Sequence, residues 1–300
     1  MARPALNIFS SRDHSLLSLL SSDGESQVFV RHYGSTKPKL HFLLIHGALE
    51  YSARHVDLIH FVLRNFGQDV AITTWDHVGH GRSGGARVYV PSFKVYVEDM
   101  NLVGEFVNKM NGPETKSIIL AHSMGGLIAL IRILDTTYGW AYPLHGIILS
   151  SPCIKPRLAF GASSKPVLDN LNKLSGKLHL PIIYTGKDLT RDPERANDFD
   201  SDTLIPRFIT VRMAKEVVEA SHRIRGLSYY LRVPSLFLIA GEDKVVDPES
   251  TALFAHGIEK KLTKTIHYPK HYHELWNEID RFEIFETMKK WIDKTLKENV

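Results

Sequence analysis

The 300-residue chain has one cysteine, Cys153. It can close no intramolecular disulfide and needs no oxidising compartment. It also has little net charge, since 37 basic against 33 acidic residues leave a formal +4. That excess is too small and too dispersed for a nucleic-acid footprint, although a weakly anionic membrane surface could still attract it. No stretch reaches the roughly 18 uninterrupted apolar residues of a membrane span. Near the N-terminus Leu16, Leu17, Leu19 and Leu20 are broken by Ser18 and followed by Asp23, which makes a poor signal peptide. The expectation is a cytoplasmic chain whose membrane contact is at most peripheral. Internal repeats and low-complexity tracts are missing as well.

What is present suits a packed globule: 43% hydrophobic, 10% aromatic and 23% charged residues, with no bias toward disorder. The length fits one main domain carrying an insertion. Short apolar runs bounded by turn residues alternate with helical patterns, which predicts an α/β fold with a largely parallel sheet. The strand candidates are 27–33, 40–45, 70–75, 117–121, 146–149, 235–240 and 264–268, with 16–20 a weaker eighth. Phe93, Tyr96, Met100, Val103, Val107 and Met110 make one apolar helix face, capped by Ser92 and ended by Asn111-Gly112. In the last helix Phe282, Phe285, Met288 and Ile292 are expected to face inward. Between 155 and 232 the rhythm breaks and the sequence turns polar, which reads as an inserted cap. The core is then 1–154 together with 233–300.

The run Ile118-Ile119-Leu120-Ala121-His122-Ser123-Met124-Gly125-Gly126 passes from an apolar strand through small residues into an apolar helix. This is the setting of a nucleophile elbow, where a serine on a sharp turn projects its hydroxyl at the carboxyl edge of a sheet. Close chain crossing demands small neighbours; Ala121 stands where the pattern has its first glycine. The plainer alternative is a serine that only caps the helix starting at Met124.

A serine hydroxyl is barely nucleophilic unless a histidine takes its proton and a carboxylate orients that histidine. On an elbow fold the chain order is Ser, Asp, His. Gly241-Glu242-Asp243-Lys244-Val245-Val246-Asp247-Pro248 offers two acids. Asp243 sits on the turn leaving a strand and is preferred, while Asp247, just before Pro248 and a helical run, suits a helix cap. Of the 16 histidines, His271 and His273 follow the last strand candidate and His267 falls inside it. His273 lies on a loop leading to the last helix, a place also open to an ordinary surface histidine. An oxyanion needs backbone donors. Met124 follows the nucleophile, and Ala48 lies in His46-Gly47-Ala48 just after a strand, a dipeptide that elsewhere simply ends strands.

Over its whole length the chain resembles the monoglyceride lipase and lysophospholipase group of α/β-hydrolases. The resemblance rests on His46-Gly47-Ala48 with Glu50 and Arg54, on Asp76-His77-Val78-Gly79-His80-Gly81-Arg82-Ser83, and on His122-Ser123-Met124-Gly125-Gly126. It extends to Gly241-Glu242-Asp243, to His273-Glu274-Leu275-Trp276-Asn277-Glu278 and, in the cap, to Asp198-Phe199-Asp200-Ser201-Asp202-Thr203-Leu204. It implies an α/β-hydrolase fold: a mostly parallel eight-stranded sheet flanked by helices, with an inserted cap. It further implies a triad of Ser123, Asp243 and His273, no metal or organic cofactor, and a small-molecule ester of a fatty acid as substrate. Phe199 stands where relatives often place tyrosine, so a hydroxyl that could touch a head group is missing.

Glu50, Arg54 and His122 are candidates for contacting substrate. A structural ion pair four residues apart is as good a reading of Glu50 and Arg54, and His122 could merely pack. Asp76 to Ser83 is expected to form a tight supporting loop. Other classes stay open. A proline-iminopeptidase-like enzyme shares fold and triad but typically has tryptophan where Met124 stands, and a non-catalytic binding protein could keep the fold alone. In the cap, Leu168, Leu171, Leu174 and Leu178 predict one face of a helix over 165–178. That face either meets lipid beside Lys165, Lys173 and Lys177 or packs on the core.

Overall fold

The structure, a computed structural model, describes residues 14–135, 144–157 and 164–298. The chain begins with β1 (His14–Leu20), β2 (Gln27–Gly34), β3 (Leu40–Ile45), α1 (Val56–Asn65), β4 (Val70–Asp76), α2 (Lys94–Met110), β5 (Lys116–His122), α3 (Met124–Leu134) and β6 (Gly146–Ser150). An excursion follows, through α4 (Ser164–Leu174), β7 (His179–Pro181), α5 (Gly186–Leu189), α6 (Pro193–Ser201), β8 (Phe208–Thr210) and α7 (Val211–Ile224). The chain then returns to β9 (Ser235–Ala240), α8 (Pro248–His256), β10 (Thr263–Tyr268) and α9 (Arg281–Glu298).

Among the described residues eight strands form one sheet in the order β1-β2-β4-β3-β5-β6-β9-β10. The pairs β1–β2 and β2–β4 are antiparallel and the others parallel. Every strand candidate forms, within two residues of its expected bounds. The alternation of side chains along a strand gives the sheet two apolar faces. Leu43, Ile45, Ile119, Ala121, Phe237 and Ile239 pack against α2, α3 and α8 on one side. On the other, Phe42, Leu44, Ile118, Leu120, Leu236 and Leu238 pack against α1 and α9. Such helices on both faces of a mostly parallel sheet make this an α/β architecture, as the sequence predicts.

Parallel register sets the functional edge. Ile45 is level with Ala121, His122 with Ser150, and Ala240 with Tyr268. The loops leaving β3, β5, β6, β9 and β10 therefore emerge side by side. Above them Leu189 of α5, Phe199 of α6 and Ile205 in the loop that follows form a small apolar cluster with Tyr51. In the same excursion α7 sinks Met213, Val217, Ala220 and Ile224 into the main core, and its other side holds Leu168 of α4.

Several local expectations change. α2 starts one residue later than the Ser92 cap requires, and Asn111 ends it in an extended conformation while its side chain bonds His41 in β3 at 2.9 Å. In α9, Ile284 is buried and Phe282 is exposed, with the Arg281 guanidinium 5.2 Å above its ring. α4 stops at Leu174, so its leucines do not share one environment: Leu168 is buried, Leu171 half-buried, and Leu174 is 78% exposed. Among the described residues no helix is long and apolar enough to cross a membrane.

Candidate active site

The sharp turn between β5 and α3 puts Ser123 at φ 51° and ψ −118°, a left-handed conformation rarely tolerated outside glycine and held here by its surroundings. The Ser123 N–H donates to Ser150 O at 3.0 Å, and the Cys153 N–H donates to Ser123 O at 3.0 Å. A side chain on Gly125 would place its first carbon 2.3 Å from Ile45 O, so the first turn of α3 needs glycine there. Ala121 causes no such clash, because it points into the core from β5.

Ser123 Oγ lies 2.9 Å from His273 Nε2, and His273 Nδ1 lies 2.7 Å from Asp243 Oδ2. The other carboxylate oxygen of Asp243 accepts the N–H groups of Val245 and Val246 at 2.7 and 2.9 Å. Its orientation is thus fixed by the turn that follows β9. Burial works against a charged His273, but the Asp243 carboxylate, by charge and hydrogen bond, and then Glu274 and Glu50, hold it above the ordinary imidazole value. The three candidates converge from the ends of β5, β9 and β10.

The second choices lie elsewhere. His271 pairs with Asp280 at 2.9 Å, and His267 sits in β10. Asp247 does occupy the position before α8, with Pro248 as first residue, but among the described residues its carboxylate accepts no backbone N–H of the helix. It takes the Ser250 hydroxyl at 2.6 Å and pairs with Lys155 at 3.0 Å and Arg157 at 3.4 Å, because two cations from the loop after β6 outcompete the cap.

A cavity of about 30 Å³ over Ser123 is lined by Ala48, Glu50, His122, Phe199 and Glu274, among others. Among the described residues the amide N–H groups of Ala48 and Met124 donate to no protein acceptor. Glu50 accepts the Gly47 N–H and approaches His55 at 3.1 Å and Arg54 at 3.9 Å. Arg54 bonds Glu274 more closely, at 2.6 Å, and lies 5.0 Å above Phe199. His122 is pinned to Ser150 O, and burial pushes it down to about 3 against the pull of Glu50. It borders the cavity as a neutral ring.

Asp76 to Ser83 forms a buried supporting loop: the Asp76 carboxylate takes Arg31, the Ser52 N–H and the Arg82 N–H. Among the described residues no three His, Cys, Asp or Glu side chains are grouped to hold a metal ion. Sequence reasoning gave no role to Glu274 or Tyr184, both of which line the cavity. Glu274 adjoins His273 and could have been sought as the partner of Arg54; Tyr184 lies in the aperiodic excursion and carried no signal.

The profile of the Hydrolase_4 family, described as serine aminopeptidase, S33, matches residues 36–280. The rat monoglyceride lipase is 30% identical over 272 residues, 87% of this chain and 84% of its own. Uncharacterized protein YnbC of Escherichia coli is 29% identical over 278 residues, 91% of this chain. The chain spans less than half the length of the first curated relatives it matches, 46% in the case of YnbC. Among solved structures, a soluble variant of the Saccharomyces cerevisiae monoglyceride lipase with a substrate analogue superimposes with a TM-score of 0.82. It is 19% identical and covers 98% of this chain and 99% of its own.

Proposed function

The chain belongs to the Hydrolase_4 family (serine aminopeptidase, S33) of α/β-hydrolases, and from that premise we propose that it is a serine hydrolase cleaving carboxylic esters of fatty acids. The observation that carries this reading is the relay from Asp243 through His273 to Ser123, at 2.7 and 2.9 Å. His273 Nε2 takes the Ser123 proton as Oγ attacks the ester carbonyl carbon, and the imidazolium is stabilised by Asp243. The Ala48 and Met124 N–H groups receive the oxyanion. His273 then returns the proton to the leaving alcohol oxygen. Water, deprotonated by the same ring, releases the fatty acid from the acyl-enzyme.

The similarity to monoglyceride lipases supports monoacylglycerol or a lysophospholipid as substrate. A cavity of about 30 Å³ holds little more than one water. An acyl chain therefore enters when the segment 155–232, which we read as the cap, moves. Its α5–α6 part is tied down by Arg191 to Glu278 and Asp280, by Arg195 to Asp57, and by Asp192 to Arg281. Its α4–β7 part carries exposed Leu174 and Ile183 and is the side proposed to open and to touch lipid.

An active-site serine phosphonate should label the protein and lose its target in Ser123→Ala. Hydrolysis of monoacylglycerol, lysophospholipid and a prolyl arylamide then sorts the substrate class. Labelling retained in Ser123→Ala would refute the triad, and preferential cleavage of the arylamide would move the chain to the peptidases.

A further inference from the structure

We propose that His46 is a positioning residue for the oxyanion site: its ring holds the Gly47 carbonyl and so turns the Ala48 N–H toward Ser123. This rests on the assignment of Ala48 as an oxyanion donor and adds the device that aims it.

Backbone contacts fix the tautomer of the ring. The His77 N–H donates to His46 Nε2 at 2.9 Å, so Nε2 carries a lone pair and the proton resides on Nδ1. That Nδ1–H lies 2.7 Å from the Gly47 carbonyl oxygen and donates to it. In a planar trans peptide the carbonyl and the following N–H point in opposite directions. Anchoring Gly47 O at a fully buried ring therefore turns the Ala48 N–H to the opposite side. Ala48 lines the cavity there with Ser123. The loop passes close to the nucleophile, for a first side-chain carbon on Gly47 would sit 3.0 Å from Ser123 Cβ.

The neighbouring peptide is held as well. The Gly47 N–H donates to Glu50 Oε1, so Gly47 is gripped on both sides and Glu50 acts on the loop. His46 is itself immobilised: its carbonyl accepts from His77 Nε2 at 3.0 Å and its ring lies 4.0 Å from that of His77. Burial keeps His46 well below the ordinary imidazole value, helped by His77 and opposed by Glu50. The neutral form is required, because an imidazolium could not accept the His77 N–H.

Three variants test the device. Asparagine places an amide nitrogen near the position of Nδ1, glutamine near Nε2, and phenylalanine keeps the ring without a donor. His46→Gln and His46→Phe should lower kcat by on the order of 10²-fold, as loss of an oxyanion donor does, with KM little changed. They should weaken binding of an alkylboronic acid, whose serine adduct presents a tetrahedral oxygen, by the same factor. His46→Asn should recover most of both losses. Unchanged kcat and boronate affinity in His46→Gln and His46→Phe, with only Tm lowered, would overturn the proposal. So would His46→Asn behaving no better than His46→Gln. Should His46→Phe fail to fold, the Asn and Gln pair decides alone. Failure of the underlying reading looks different: the wild-type protein would not be labelled at Ser123 by the phosphonate.

Discussion

Arg54 and Glu274 are 220 positions apart in the chain and 2.6 Å apart in the fold, with side chains only 8% and 6% exposed. The contact ties the short helical turn after β3 to the residue beside His273, and Arg54 also covers the Phe199 ring from α6. A buried pair of this kind contributes little relative to an apolar substitute, but removing one partner strands the other charge. Arg54→Met should therefore cost about 3–5 kcal/mol, and the double variant Arg54→Met with Glu274→Leu clearly less. Urea denaturation of Arg54→Met, Glu274→Leu and the double variant measures the difference. Single losses that simply add in the double variant would mean the pair is not coupled.

Ser123→Ala and His273→Ala should each lower turnover by several orders of magnitude, and the double variant should be barely worse than either. Groups that act as one unit lose their effect together. Steady-state kinetics on a soluble ester give the comparison; multiplicative losses would mean that the two residues act independently.

The pH profile carries a sign. The proposed mechanism needs neutral His273, whose folded pKa is raised above 6.5 by Asp243 despite burial. The acid limb of kcat/KM should thus inflect above pH 6.5, with activity rising as pH rises through it. The same raised pKa favours the folded state at low pH, and that contribution fades as pH rises through the folded value. In Asp243→Asn burial is no longer outweighed, so the limb should move to lower pH. Turnover should fall by about 10⁴-fold, since the tautomer is no longer fixed. A limb that does not move would put the controlling charge elsewhere.

The strands and the elbow were legible because their signals are local: apolar runs between turns, and glycines where α3 crosses β3. That Asp243 and not Asp247 would lie against His273 could be read from position alone, since a turn leaving a strand reaches the sheet edge and a pre-proline position starts a helix. What the second acid does was not legible. Lys155 and Arg157 stand some 90 residues away, and no periodicity announces an ion pair closed by tertiary folding. The 220 positions that separate Arg54 and Glu274 kept their contact out of any local pattern as well, although the place of Glu274 beside His273 offered a hint. α9 misled at Phe282, which stays exposed beneath the Arg281 guanidinium while Ile284 takes the inward place in that turn.

Asp247 gives a stability prediction distinct from catalysis. Burial opposes its ionisation, yet Ser250, Lys155 and Arg157 bring its pKa down from 3.8 to about 2. A depressed acid stabilises the fold above its unfolded pKa and loses that contribution as pH falls through its folded one. Asp247→Asn should therefore be less stable than the wild type at pH 6 and converge with it near pH 2, with kcat preserved. Denaturation midpoints across that range provide the check, and a gap that persists at pH 2 would assign the loss to packing.

The exposed side of the proposed cap supplies the remaining test. Leu168 lies buried against Val211, Ala214 and Val218 of α7, with Leu171 packed beside it. Leu174 and Ile183 are 78% and 73% exposed, and Lys173 and Lys177 flank Leu174 in sequence with exposed side chains. An apolar side chain left in water beside cations suits an anionic bilayer surface, where burial of each is favourable and the charges meet head groups. Leu168→Ser should accordingly lower Tm and reduce activity on every substrate, because it opens a polar hole between two helices. Leu174→Ser with Ile183→Ser should leave Tm and hydrolysis of a short soluble ester unchanged. The same pair should weaken sedimentation with phosphatidylglycerol vesicles and slow turnover of an aggregated long-chain ester. If vesicle binding and long-chain turnover survive that double change, the lipid-facing role of Leu174 and Ile183 is wrong. The exposed leucine and isoleucine would then be ordinary surface residues.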